Sequence, residues 1–274
     1  MERQLKEVLN TSVLKCVKGN IKGGKISRAC IYETDDGMVF VKSNNFTQAK
    51  EMFDGELRSL EVLYSAGIIR VPKPIKVVGL PDGGAVIAME ALNLTGDLKQ
   101  YGAELGEQLA RLHLLTVENG KREMRMCSSI HKSVTFELVD KFGFDVTTYC
   151  GFIPQDNSWQ DDWVNFFARK IEVHMQLIDK EFGNREVRDL WSQLLLRLPK
   201  FFKSIDVKPT LLHGDLCRSN IGETEDGPVM FDPYCFYGHS EFDLSISKVF
   251  GGIPESFYDA YHTVLPVPRD MNND

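Results

Sequence analysis

The chain contains no run of 18 apolar residues, so no stretch reads as a membrane-spanning helix. Its opening MERQLKEVLN is charged and amphipathic and lacks the apolar centre of a secretory signal, which makes the cytoplasm the expected address. Concentrated positive charge is also scarce. The formal net charge is −7, and the basic run 121–132 is short enough to be a solvated loop, so neither a nucleic-acid partner nor a membrane partner is expected. Six scattered cysteines show no C-x-x-C spacing and no dense framework, which favours free thiols in a reducing compartment over disulfides or a zinc site. No internal repeat is present. What is present is enough for a large core: 274 residues, 43% of them hydrophobic, suit one large domain or two lobes.

The organising stretch is residues 211–238, LLHGDLCRSNIGETEDGPVMFDPYCFYG. It places His213, Gly214 and Asp215 after a short apolar run, Asn220 five residues after Asp215, and Asp232 after Val229, Met230 and Phe231. Phosphoryl transfer asks a protein mainly to position an acceptor hydroxyl, metal ions and a terminal phosphate. Asp215 suits the orientation and deprotonation of a hydroxyl. Asn220 and Asp232 supply the hard oxygens that magnesium takes alongside nucleotide phosphates. The Asp-to-Asn spacing equals that of the protein-kinase catalytic loop, with Asp232 in the place of the D-F-G aspartate. Gly227 and Pro228 read as the turn between two short strands. Taken singly, Asp215 or Asp232 reads equally as the cap of a turn or, with His213, as a ligand of a hydrolase metal.

Residues 1–15 read as one amphipathic helix with Leu5, Val8, Leu9 and Val13 on its buried stripe. A glycine-rich turn over 19–27 follows. There Gly23, Gly24 and Lys25 are candidates for holding nucleotide phosphates, although the turn matches neither G-x-G-x-x-G nor the Walker pattern and also reads as an ordinary hairpin. Residues 29–32 and 38–42 form a hairpin about Thr34-Asp35-Asp36-Gly37. Lys42 ends its second strand. In the helix expected over 47–66, Met52, Phe53, Leu60 and Leu63 mark a buried stripe that also carries Glu56. A carboxylate there needs a partner, and Lys42 is the natural one. A lysine held by a glutamate is how kinases grip the α- and β-phosphates. Residues 85–89 read as a buried strand, and Met89, Glu90 and Leu92 as the hinge whose backbone meets adenine. The lobe boundary is expected there, with residues 1–91 as nucleotide-binding lobe and 92–274 as catalytic and acceptor-binding lobe.

The second lobe reads as mainly helical. Leu98, Tyr101, Leu105, Leu109 and Leu112 mark one face of a helix ending near Leu115, and His113 is expected to be packed or at the surface. Residues 116–135 are polar and irregular. The cluster Trp159-Gln160-Asp161-Asp162-Trp163 opens a long helix to about Phe182, and residues 185–202 form another, carrying Leu190, Trp191, Leu194 and Leu198.

With these residues in place, the chain resembles the fructosamine-3-kinase and ketosamine-3-kinase family, relatives of the aminoglycoside phosphotransferases. The likeness runs from about Gly19 to Tyr261 through VFVKSN, RVPKPIKVVGLPDGG, DKFGF, CGFIPQ, WQDDW, LLHGDL and FYGHSEFDL. The resemblance implies an α+β, two-lobed protein-kinase-like fold, with a small β-rich first lobe and a larger, mainly helical second lobe. It implies ATP and Mg2+ as cofactors and a glycated lysine or glycated protein as acceptor. The reaction would be phosphorylation of the sugar 3-hydroxyl of a ketosamine, leading to deglycation. It assigns Lys42 and Glu56 to the phosphate grip, residues 89–92 to the adenine hinge, Asp215 to the base, and Asn220 and Asp232 to metal. The sequence departs from the family at Cys217, Ser219 and Lys25, and ends before a further helical stretch that relatives carry. Rival readings are an impaired nucleotide-binding pseudokinase or truncated isoform, and a kinase of a free small acceptor such as an aminoglycoside or amino alcohol. The oligomeric state is open, with a monomer as the default.

Overall fold

The computed structural model describes residues 2–22, 27–81, 83–118, 123–124, 134–135, 139–183 and 185–266, of which 20–22, 116–118, 123–124 and 134–135 are described by backbone alone. Gly23, Gly24 and Lys25, most of the basic run 121–132 and the polar end 269–274 lie outside the described residues.

The first helix is shorter than its sequence pattern suggests: α1 spans Glu2–Val8. Asn10 turns into the left-handed region at φ 48°, and Asp35 captures the following residues. Its carboxylate accepts from Ser12 N at 2.5 Å, Ser12 Oγ at 3.1 Å and Thr11 Oγ1 at 3.1 Å. The Ser12 bonds, backbone first, hold that carboxyl below the usual range. The apolar pattern beyond residue 12 therefore continues as strand β1, Lys15–Lys22.

Strands β2 (Arg28–Thr34), β3 (Gly37–Asn44), β4 (Pro74–Gly79) and β5 (Ala85–Glu90) complete an antiparallel sheet ordered β1-β2-β3-β5-β4. Alternation along β5 divides the core. Ala85, Ile87 and Met89 join the cluster that holds Met52, Phe53, Leu60 and Leu63 of α2 (Ala49–Ala66). Val86 and Ala88 join Leu5 of α1, Tyr32, Val39 and Val41 on the other face. Lys42 lies opposite Ile87 and hence on the α2 face.

The rest is mainly helical. Helix α3 spans Gly102–Glu118, so Leu98 precedes it rather than belonging to it, although Leu98 is buried as expected. Glu223 sets this start: its Oε2 accepts from the amides of Lys99, Gln100 and Tyr101 at 3.1, 2.9 and 3.4 Å. Gly106 lets α3 meet α7 (Glu255–Val264) closely, since a Cβ there would lie 2.0 Å from Phe257 O. After the short pairs β6 (Glu123–Met124) with β7 (Val134–Thr135) and β8 (Thr148–Cys150) with β9 (Ile153–Gln155) come two long helices. Asp162 caps α4 (Trp163–Phe182) by accepting from Asn165 N at 2.8 Å, and left-handed Gly183 ends it. Trp163 is buried among Phe142, Phe166 and Phe167, whereas Trp159 stays at the surface beside Tyr237. Helix α5 (Arg185–Phe201) buries Trp191 and Leu198 but leaves Leu190 and Leu194 exposed.

The remaining elements are β10 (Thr210–Leu212), one 3-10 turn (Arg218–Asn220), the hairpin β11 (Ile221–Thr224) with β12 (Gly227–Met230), β13 (Phe236–Gly238) and α6 (Glu241–Phe250). No helix among the described residues is long and apolar enough to cross a membrane.

Candidate active site

Lys42 is 4% exposed and meets both carboxylates that its position demands. Its Nζ lies 2.7 Å from Glu56 Oε1 and 2.5 Å from Asp232 Oδ1. Strand β3, helix α2 and the turn after β12 thus converge on one ammonium. Burial alone would lower the Lys42 pKa. The charges of Glu56 and Asp232 and their hydrogen bonds outweigh it and hold the ammonium above its ordinary value. Glu56 is pushed up by burial and by the Asp232 charge, against the pull of Lys42. One ammonium shared by two carboxylates is a charge-imbalanced group that a further cation would balance.

The loop after β10 presents the second set. Gly214 adopts φ 87°, where a Cβ would lie 2.3 Å from Tyr234 O, so only glycine fits without a shift. Asn220 Nδ2 donates to Asp215 Oδ2 at 2.7 Å and to Asp215 O at 3.0 Å, fixing the carboxylate against its own loop. Phe231 N donates to Asn220 O at 2.9 Å, which seats the residue before Asp232 beside that amide. Asp232 itself stands at φ 58°, one of two described non-glycine residues in the left-handed region. His213 supports the loop: its Nε2 is 3.1 Å from Phe231 O, and its Nδ1 accepts from Asp215 N at 3.2 Å.

The donors fit a hard divalent cation. Asn220 Oδ1 faces only Ser219 Oγ at 3.3 Å, and Asp232 Oδ2 has no hydrogen-bond partner among the described residues. No group of three His, Cys, Asp or Glu side chains that could hold a metal occurs among the described residues. Asn220 Oδ1 and Asp232 Oδ2 are a pair of hard oxygens of the kind magnesium takes when phosphates complete its shell.

Of the residues expected in the hinge, Met89 and Glu90 end β5 and Leu92 follows it. Met89 is buried against the α2 cluster. Glu90 turns its side chain to Arg70 and to Lys73 N, the latter at 3.1 Å, while its N–H donates to Lys73 O at 2.9 Å. Leu92 is half-buried beyond them.

Asp243 and Ser59 support the site and escaped the sequence reading. Asp243 of α6 is fully buried and accepts from His213 N at 2.8 Å and Gly214 N at 2.9 Å. His113 of α3 sits behind it, with Nε2 3.5 Å from Asp243 Oδ2 and Nδ1 2.8 Å from the Tyr261 hydroxyl of α7. Ser59 of α2 accepts from Cys235 N at 3.0 Å, tying the Glu56 helix to the segment after Asp232. The available signal was an aspartate between Phe242 and Leu244, a charge next to apolar positions of a helix.

Comparison with known proteins decides the family. The sequence model of the fructosamine kinase family matches residues 1–273. The chain belongs to the fructosamine kinase family. A ketosamine-3-kinase from Mus musculus is 44% identical over 270 residues, which cover 97% of this chain and 87% of the mouse protein. A chloroplastic protein-ribulosamine 3-kinase from Arabidopsis thaliana is 36% identical over 250 residues, covering 90% of this chain and 70% of that one. Among solved structures, a Haemophilus somnus 129PT protein provisionally assigned as a fructosamine-3-kinase superposes with a TM-score of 0.78 at 25% identity, over 97% of this chain and 82% of that chain. This member of the fructosamine kinase family thus has the expected α+β kinase-like fold, an antiparallel sheet followed by a mainly helical part.

Proposed function

We propose that this fructosamine kinase family member is an ATP-dependent ketosamine 3-kinase, acting on ribulosamine or fructosamine adducts of lysine amines and so initiating protein deglycation. The observation that carries this reading is the convergence of Lys42, Glu56 and Asp232 within 2.7 Å contacts, with Asp215 clamped by Asn220 on the adjoining loop. The names of the mouse and Arabidopsis relatives support the acceptor class.

In this reading Lys42, steadied by Glu56, grips the α- and β-phosphates. Asp215 orients the sugar 3-hydroxyl and takes its proton as the oxygen bonds the γ-phosphorus and the bond to ADP breaks. Magnesium, when bound, would be held by Asn220 and Asp232 and would offset charge on the phosphates. Backbone groups of Met89, Glu90 and Leu92 are assigned to adenine, and Gly23, Gly24 and Lys25 to the phosphates. The lobe boundary is placed after residue 91, and the free thiols support the cytoplasm as the working compartment.

The test is ADP release with ribulosyl-lysine and fructosyl-lysine, with and without magnesium. Magnesium-dependent release with a ketosamine, and none with an aminoglycoside, is expected. Protein that binds ATP and transfers phosphate to no ketosamine contradicts the reading.

A further inference from the structure

Strand β1 is an edge strand with irregular pairing. Cys16 lies opposite Tyr32 and Lys18 opposite Ile31, but by Ile21 the partner is Ala29, with register shifts before and after Lys18. A regular ladder would set Cys30 opposite Lys18. The shifts bring it instead opposite the stretch containing Gly19, which has no side chain. A Cβ at Gly19 would lie 3.4 Å from Cys16 Sγ and 3.9 Å from Cys30 Sγ. Both sulfurs therefore border the one gap that the missing side chain leaves. They also interact: desolvation, then the neighbouring Cys30 and a hydrogen bond with it, push the Cys16 thiol up. Cys16 is open to solvent and Cys30 half-buried, so an oxidant reaches the pair from the Cys16 side.

We propose that Cys16 and Cys30 form a modification site, a cross-strand dithiol that a peroxide closes to a disulfide within one chain, clipping β1 to β2. Each thiol gives up a hydrogen and the S–S bond forms. The peroxide O–O bond breaks and takes up both hydrogens and both electrons to leave, from hydrogen peroxide, two waters. The thiolate attacks, so closure speeds up as pH rises through the elevated thiol range. Because β1 pairs on one side only and irregularly, its amides open more readily than those of β3 or β5. A covalent tie at Cys16 suppresses that opening and restricts the unfolded chain.

The full chain, reduced and then treated with hydrogen peroxide, is alkylated and digested for mass mapping, alongside Cys16→Ser. The expected result is a linked Cys16–Cys30 peptide from monomeric protein, a Tm about 3 °C higher than that of the reduced form, and roughly tenfold slower amide exchange in β1. Cys16→Ser loses all three. Recovery of Cys16 and Cys30 as alkylated thiols, or a link found only between two chains, overturns the proposal. A link that leaves Tm and exchange unchanged overturns the claim that it clips β1. None of these readouts requires turnover, so the outcome stands apart from the proposed kinase activity.

Discussion

Lys42 carries two roles that substitution separates. Removing its ammonium leaves Glu56, whose side chain is only 13% exposed, without a counter-charge, and breaking a largely buried pair this way costs about 3–5 kcal/mol. Lys42→Met should therefore lower the urea midpoint strongly, and Lys42→Met with Glu56→Leu should recover most of it. Phosphate transfer should stay lost in both. Recovery of activity along with stability would show that the pair serves only the fold. Lys170 is a second buried ammonium, 3% exposed, with its Nζ 4.2 Å above the Phe236 ring and 3.2 Å from Asn157 Oδ1. Burial lowers its pKa to about 7, against the partial pull of Cys150 and Asp156. Above that pH the folded state has released a proton that the unfolded chain keeps up to its ordinary value near 10.5. Stability from this site thus rises as pH climbs from about 7 towards 10, and the burial penalty applies in full below 7. Lys170→Met should flatten that rise and raise the midpoint at pH 6, measured by urea unfolding across pH 6–9. An unchanged slope would mean that Lys170 stays charged in the fold.

At the scale of elements, Asp243 makes the β10 loop and α6 one unit. Asp243→Ala strands the amides of His213 and Gly214 and should cost about 3 kcal/mol. It should also lower kcat more than it raises the KM for ATP, because what moves is Asp215 rather than Lys42. Equal kcat in the two proteins would remove Asp243 from the site. The same elements show how far sequence reaches. The hairpin of β2 and β3, helix α2 and the pairing of Lys42 with Glu56 were readable because alternation and a 3.6-residue stripe are local, and a carboxylate on an apolar face demands a partner. The full buried status of Asp243 and the three amides gathered by Glu223 were not, because their partners lie 29–30 and 122–124 residues away. Helix α1 is shorter than its apolar pattern suggests for a similar reason. Nothing local shows that Asp35, 23 residues on, captures Ser12. Leu98 carries the right spacing for α3, but lies in the segment that the Glu223 carboxylate gathers ahead of the helix.

For the whole molecule, apolar surface is distributed unevenly. Between α4 and α5 runs a cavity of about 320 Å3 lined by Phe167, Ile171, Met175, Leu190, Trp191 and Leu194. Leu190 is 58% exposed and Leu194 42%. Their replacement by Gln should change stability by no more than about 0.5 kcal/mol while sharply reducing binding of an apolar dye. A large loss of stability would mean that another part of the molecule covers this face. The site lies elsewhere, where the five-stranded sheet with α2 meets the loops after β10 and β12. In the proposed reaction Lys42 and Glu56 work on the same substrate as Asp215 and its Asn220 clamp. The most direct measurement is single-turnover phosphate transfer from ATP to ribulosyl-lysine, with ATP affinity measured in parallel, for the wild type and Asp215→Asn. Transfer at least about 10³-fold slower in Asp215→Asn is expected, with ATP affinity within about twofold, since the role proposed for Asp215 bears on the hydroxyl and not on the nucleotide. Undiminished transfer by Asp215→Asn would contradict it.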